Sequence, residues 1–147
     1  MSGLSVTPNF SALELPIDAW SAPFWAAAAE HRLLMPRCSA CGTFRWPAGP
    51  FCPACHAQPL EWVPTGLTTI YSYTILPVPG GDPAVPAFRV PVLAVFGQAP
   101  GVRLASVLVE AEGRDIAIGA ALEPCWLPAA NGTVPAFRLA SGRGTVR

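Results

Sequence analysis

Four of the five cysteines in this chain form two C-x2-C pairs, Cys38-Ser39-Ala40-Cys41 and Cys52-Pro53-Ala54-Cys55, with ten residues between the pairs. This spacing constrains the fold more than any other feature. A C-x2-C step closes a tight turn whose two sulfurs face one point. Two such turns together supply a tetrahedral four-thiolate shell, the arrangement of a closed structural zinc site. Gly42 suits a knuckle that needs positive φ, and Pro53 stiffens the second turn. The expectation is one structural Zn2+ held by Cys38, Cys41, Cys52 and Cys55. Iron is the rival metal, because four thiolates also bind it tightly. Two disulfides are disfavoured in a cytosolic setting. A redox-active dithiol lacks its βαβ context. His56 adjoins the shell, but four cysteines already complete it. Cys125 lies far along the chain in a predicted strand, where core packing explains it.

Four protein ligands leave no open position for water or substrate, so the metal clamps a segment too small to own a core. No catalytic constellation stands elsewhere. His31 sits at a predicted helix end as a capping or surface residue. Ser72 and Ser106 lack a nucleophile-elbow context. Asp82 and Asp115 fall in turns, where Asp serves the backbone. Glu110 and Glu112 read as a solvated strand end.

Charge informs by its scarcity. Charged residues make up 12% of the 147, against roughly 25% in ordinary soluble domains. A small chain with few charges is expected to expose apolar surface, and large apolar patches mark partner contacts. The formal net charge is zero, and all nine basic residues are arginines. A basic face for nucleic acid is therefore not expected. The absence of lysine excludes a lysine Schiff base and a phosphate-loop lysine. No apolar run of membrane-spanning length occurs, and no basic-then-apolar leader opens the chain. A cytoplasmic protein is expected.

Along the chain, residues 1–17 have no period and read as a tail. Residues 18–36 read as a helical segment, with Ser21 as N-cap, Pro23 in the first turn and Arg32 near the end. Trp20, Phe24 and Ala28 fall at four-residue spacing, widened by Trp25. Residues 37–63 hold the cysteine ribbon. From residue 64 to 140 the pattern changes to short strands: Thr68–Ile75, Val90–Phe96, Val102–Val109, Leu122–Leu127 and Val134–Leu139. Simple alternation puts Ile70 and Ser72 on one face of the first strand and Tyr71 and Tyr73 on the other. Pro77 to Pro86 reads as a loop, Gln98 to Gly101 as a turn, and Ile116 to Ala120 as a turn or short strand. Residues 141–147 read as a second tail. Five strands at this spacing predict a small barrel or sandwich, the barrel being OB-like. The pentapeptide Val-Pro-Ala-Phe-Arg occurs at Val85–Arg89 and again at Val134–Arg138, too short to make a repeat architecture.

The order of these features resembles a known family. Phe24-Trp25 and Leu33-Leu34 lead into Cys38-x-x-Cys41-Gly42. Arg45-Trp46-Pro47, Cys52-Pro53-x-Cys55 and Leu60-Glu61-Trp62-Val63 come next. Then come Gly66 to Thr74, Arg103-Leu104-Ala105-Ser106, Ile118-Gly119 and Val134-Pro135-Ala136-Phe137-Arg138. Together they resemble the small proteins in which a rubredoxin-like zinc ribbon precedes an OB-fold and which are associated with acyl-CoA enzymes. The likeness runs from about residue 20 to 140. Pro36 and the short Gly97–Gly101 turn depart from the pattern. The resemblance implies a mainly β fold: an N-terminal helix, a rubredoxin-like zinc ribbon, then a small OB-fold β-barrel. It also implies an accessory subunit in a hetero-oligomer with a thiolase-like or hydratase-type enzyme. Such a subunit supports acyl transfer, condensation or retro-aldol chemistry and can contact acyl-CoA. The aromatic helix and ribbon would meet the partner, and the barrel would pack at its active-site entrance. Two other readings are a single-strand nucleic-acid binder using Tyr71, Tyr73 and Phe88, and a stand-alone acyl-CoA binder using Arg45, Arg89 or Arg103.

Overall fold

In the computed structural model, which describes residues 3–141, a short helix and a two-stranded ribbon lead into a five-stranded barrel. Helix α1 spans Ala22–Ala29. It is shorter than the 18–36 segment expected, because its C-terminus is capped early. His31 takes φ 60°, its N–H donates to the Ala28 carbonyl, and the Arg32 N–H donates to the Ala27 carbonyl. This is a Schellman cap with histidine where glycine is usual. The His31 ring lies flat on Trp126, with centroids 5.2 Å apart, which holds the strained backbone in place. At the other end Ser21 is the N-cap, but its hydroxyl makes no cap bond. It accepts instead from the Asp18 N–H, while the Asp18 carboxylate accepts from the N–H groups of Trp20 and Ser21.

Strands β1 (Leu34–Cys38) and β2 (Leu60–Pro64) pair antiparallel, with Leu34 opposite Pro64 and Cys38 opposite Leu60. Leu34, Met35 and Pro36 therefore belong to the ribbon and not to the helical segment. The barrel is formed by β3 (Thr68–Tyr73), β5 (Phe88–Phe96), β6 (Ala99–Leu108), β7 (Ala121–Ala129) and β8 (Gly132–Leu139). Its closed order is β3-β5-β6-β8-β7-β3, with β6 and β8 parallel and the other pairs antiparallel. A two-residue strand, β4 (Leu76–Pro77), hangs on β5 and ends on the first residue of the expected loop. This closure leaves no free barrel edge and is the OB topology.

Strand β5 shows why these residues make a strand. Phe88, Val90, Val92, Ala94 and Phe96 point inward and are buried, while Arg89, Pro91, Leu93 and Val95 point outward. Both copies of the repeated pentapeptide place their phenylalanine, Phe88 and Phe137, deep in the core. Helix and ribbon join that core, since Phe24 and Met35 belong to the same buried cluster, and Trp46 and Trp62 pack against it.

Three further expectations change. The alternation in β3 is broken by a bulge between Ile70 and Ser72. Tyr71 turns outward, and Tyr73 packs on the core with its hydroxyl donating to the Ile116 carbonyl. A bulge opposes two residues to one and so flips the face of the residues beyond it. The hairpin between β5 and β6 is tighter than expected, because Ala99 is already in the strand. The described part of residues 1–17 is not free. Ser5 is buried, with its hydroxyl donating to the Leu108 carbonyl and accepting from the Ala111 N–H. The Asn131 side chain accepts from the Leu15 N–H and donates to the Leu15 carbonyl. Residues 142–147 of the second expected tail lie outside the described residues.

Phe137 is fully buried. Phe137→Ala is expected to cost about 3–5 kcal/mol in urea unfolding. Leu67, 81% exposed, should stay within about 0.5 kcal/mol of wild type on replacement by alanine.

Candidate metal centre and the surface it holds

The two C-x2-C turns are built alike. In the first, the Gly42 N–H donates to the Cys38 carbonyl and Gly42 has φ 82°. In the second, the His56 N–H donates to the Cys52 carbonyl and His56 has φ 67°. His56 thus does at the second knuckle what Gly42 does at the first, and its role is conformational. The turns face each other across a small gap. Cys38 Sγ lies 3.6 Å from Cys55 Sγ, and Cys41 Sγ lies 3.6 Å from Cys52 Sγ. All four sulfurs fall within 4.8 Å of one another. A tetrahedron of thiolates around one zinc at about 2.3 Å has sulfur–sulfur edges of about 3.8 Å, so the donor set has the right size and chemistry for one metal ion. Cys125 is buried in a separate cluster with Val109 and Ala136 and does not join the group.

The backbone prepares the thiols for ionisation. The Cys41 N–H facing Cys38 pulls that thiol down to about 6, helped by Ala40 N–H and opposed by desolvation. Cys52 is lowered in the same way, chiefly by the Cys55 N–H and also by that of Ala54, against desolvation. Cys55 also receives an N–H, from Ala57. Its three thiol neighbours and desolvation outweigh that donor and push it up to about 11. Crowded sulfurs cannot all ionise without a cation among them, and a bound metal ion would supply that charge.

Arg45 completes the ribbon. Its side chain is buried and its guanidinium donates to the carbonyls of Gly49, Ala57 and Gln58. One forked cation thus ties the loop after β1 to the segment after the second knuckle. A residue so enclosed cannot reach a ligand, which removes Arg45 from the candidate phosphate contacts. Sequence reasoning missed this role because the partners are backbone carbonyls, which carry no side-chain signature.

Arg45 places the neighbouring Trp46 against helix α1, where the Trp46 ring lies 4.7 Å from that of Phe24. A cavity of about 510 Å3 opens beside this pair, between Phe10, Trp25 and Trp46 on one side and β6 and β8 on the other. Its walls are almost wholly apolar; the polar side chain lining it, Ser106, donates its hydroxyl to the Pro135 carbonyl. The aromatic helix, expected to meet a partner, turns most of its aromatic surface inward. Phe24 is core and Trp25 half-buried, and Trp20 alone of the three faces out. Arg45→Met should leave three carbonyls without their donor and lower unfolding stability by about 3 kcal/mol or more. Arg45→Lys should recover only part of it, because an ammonium cannot reproduce the fork.

Comparison with known proteins bears on this arrangement. The sequence model of the ChsH2 rubredoxin-like zinc ribbon domain matches residues 25–61. A probable enoyl-CoA hydratase alpha subunit of Thermomonospora curvata is 38% identical over 119 residues, covering 78% of this chain. The match spans 36% of that longer protein. A solved structure described as the Ltp2-ChsH2(DUF35) aldolase holds a chain 33% identical, with TM-score 0.71, covering 86% of this chain and 98% of that one. A DUF35 protein of unknown function from Sulfolobus solfataricus shares the fold, with TM-score 0.59 at 19% identity. With the four-sulfur cluster, the ribbon and the closed barrel, these matches show that the chain belongs to the DUF35 family, in which a ChsH2-type zinc ribbon is joined to an OB-fold and which is associated with acyl-CoA enzymes.

Proposed function

We propose that this protein is a non-catalytic accessory subunit that binds one structural zinc ion and assembles with a thiolase-like enzyme. In that complex it supports acyl transfer, condensation or retro-aldol chemistry on acyl-CoA or related acyl substrates. The observation that carries the reading is the match to nearly the whole of a chain in an aldolase assembly, 98% covered at 33% identity. The hydratase-subunit name of the Thermomonospora curvata relative points to the same class of acyl-CoA complexes and leaves a hydratase-type partner as the second form of the reading.

The physical features agree with this role. Cys38, Cys41, Cys52 and Cys55 would hold the zinc. With four protein ligands the ion would supply no open coordination site, and its contribution is to fold the ribbon. The ribbon in turn presents Trp46 to the apolar cavity. The His31 ring stacks on Trp126, and His56 serves the second knuckle through its backbone. Exposed apolar side chains are numerous for a chain of this size, among them Leu13, Ile17, Trp20, Phe51 and Leu67. Such a surface suits a subunit that is covered by its partner.

Two experiments test the proposal. Elemental analysis of the purified chain should find one zinc per chain, and Cys38→Ser should lose it together with the ribbon's protection from proteolysis. A metal-free chain with an intact ribbon would contradict the clamp. Co-expression with a neighbouring thiolase-like enzyme should yield a stable hetero-oligomer whose activity falls at least about tenfold when this chain is omitted. A monodisperse chain that never co-purifies, with partner activity unchanged by its removal, would reject the accessory role.

A further inference from the structure

Arginines in this protein are nearly all occupied. Arg32 pairs with Glu30, Arg37 with Glu61, Arg114 with Glu112 and Arg138 with Glu110. Arg45 is enclosed by carbonyls. Among the described residues, Arg89 and Arg103 alone lack a carboxylate or hydrogen-bond partner. Arg103 lies over the Tyr71 ring at 4.1 Å, a contact that satisfies no charge.

Both arginines project from one surface. Arg89 is on the outward side of β5 with Pro91, Leu93 and Val95. Arg103 is on the outward side of β6 with Ala105 and Val107, and Leu93 sits opposite Ala105 in the ladder. Leu76 of β4, opposite Arg89, extends this surface at its edge and is exposed. The strip between the two cations is apolar. It has no acidic residue on it, although β5 and β6 run nine and ten residues. Arg89 and Arg103 stand toward opposite ends of the strip: Arg89 precedes Val90, which pairs with Leu108, and Arg103 precedes Leu104, which pairs with Ala94. Ala105, Ser106 and Val107 then carry the strip into the apolar cavity beneath Trp25 and Trp46.

We infer that this face seats an acidic-flanked apolar segment of the partner enzyme, with Arg89 and Arg103 pairing with carboxylates at its two ends and an apolar side chain entering the cavity. The inference rests on the accessory-subunit reading and adds the surface and the chemistry of the contact. Charge complementarity selects the occupant. Two unpaired cations at the ends of an apolar strip call for anions at that spacing with apolar surface between them. A single-stranded nucleic acid would need cations along the whole track and bare aromatic rings for stacking. Here the strip is aliphatic, and Arg103 occupies one face of the Tyr71 ring.

The test uses the full chain and the thiolase-like enzyme with which it co-purifies. Arg89→Glu and Arg103→Glu are each expected to weaken association by about tenfold and together by about a hundredfold, with a flatter dependence on salt. Arg114→Glu, on an exposed arginine away from the strip, should leave association unchanged. Arg89→Gln and Arg103→Gln serve where a glutamate variant shifts the urea midpoint. Compensation by an acidic-to-arginine change in the partner would assign the pair. If wild type forms the complex and the double variant binds equally well, this inference falls while the accessory role stands. If wild type forms no complex, the accessory reading itself has failed. Arginine-dependent binding of a single-stranded oligonucleotide, or of free coenzyme A with complex formation unaffected, would also overturn the assignment to a protein segment.

Discussion

Phe24, Met35 and Trp46 come from three different parts of the chain and meet in one apolar seam. Phe24 is the buried face of the helix, Met35 is the inward residue of the first ribbon strand, and Trp46 adjoins the ribbon's buried arginine. Burial of aromatic surface is the largest favourable term available to a chain with so few charges. Neither the helix, eight residues long, nor the two-stranded ribbon could persist alone in water. Their stability is borrowed from the barrel through this seam. The barrel needs nothing comparable, because its closed ladder and the inward side chains of β5 supply a core of their own.

The seam explains why the ribbon must be rigid. Trp46 can pack on Phe24 only if the loop that carries it is fixed. Two constraints converge on that loop. The Arg45 guanidinium ties the carbonyls of Gly49, Ala57 and Gln58 together. The sulfurs on either side stand at the spacing a tetrahedral metal ion requires. A cation at each position serves the same end: the charge of one satisfies backbone dipoles, and the charge of the other would satisfy thiolates.

How far the sequence foretold this depends on the kind of signal. The cysteine pairs were legible because a C-x2-C turn is a local object whose geometry is set by spacing alone. β5 was legible because inward and outward residues alternate without a break. β3 was misread at Tyr73, since a bulge is created by the register of the partner strand and leaves no mark in composition. The helix was drawn too long because its stop is a histidine in the left-handed region, held there by a tryptophan far along the chain in β7. The fastening of Gly3 to Ile17 was missed for a related reason. It depends on the hydroxyl of Ser5 and the side-chain amide of Asn131, polar groups that bond to backbone and obey no hydrophobic period.

These misreadings share a consequence for the surface. Each of them concerns a residue that determines what the outer side of the barrel presents. The bulge turns Tyr73 inward and leaves Tyr71 as the outward ring of β3, beneath Arg103. The fastened N-terminal segment brings Phe10 to the rim of the cavity. The early helix stop leaves room for β1 and so places Trp46 on the cavity's far wall. A barrel of this topology without those additions would carry an ordinary, half-apolar outer sheet. With them it carries a bounded apolar trough whose walls come from the helix, the ribbon and the N-terminal segment. The ribbon acts on the barrel through this geometry. By fixing one aromatic wall, it sets the shape of a surface whose floor belongs to strands it never pairs with.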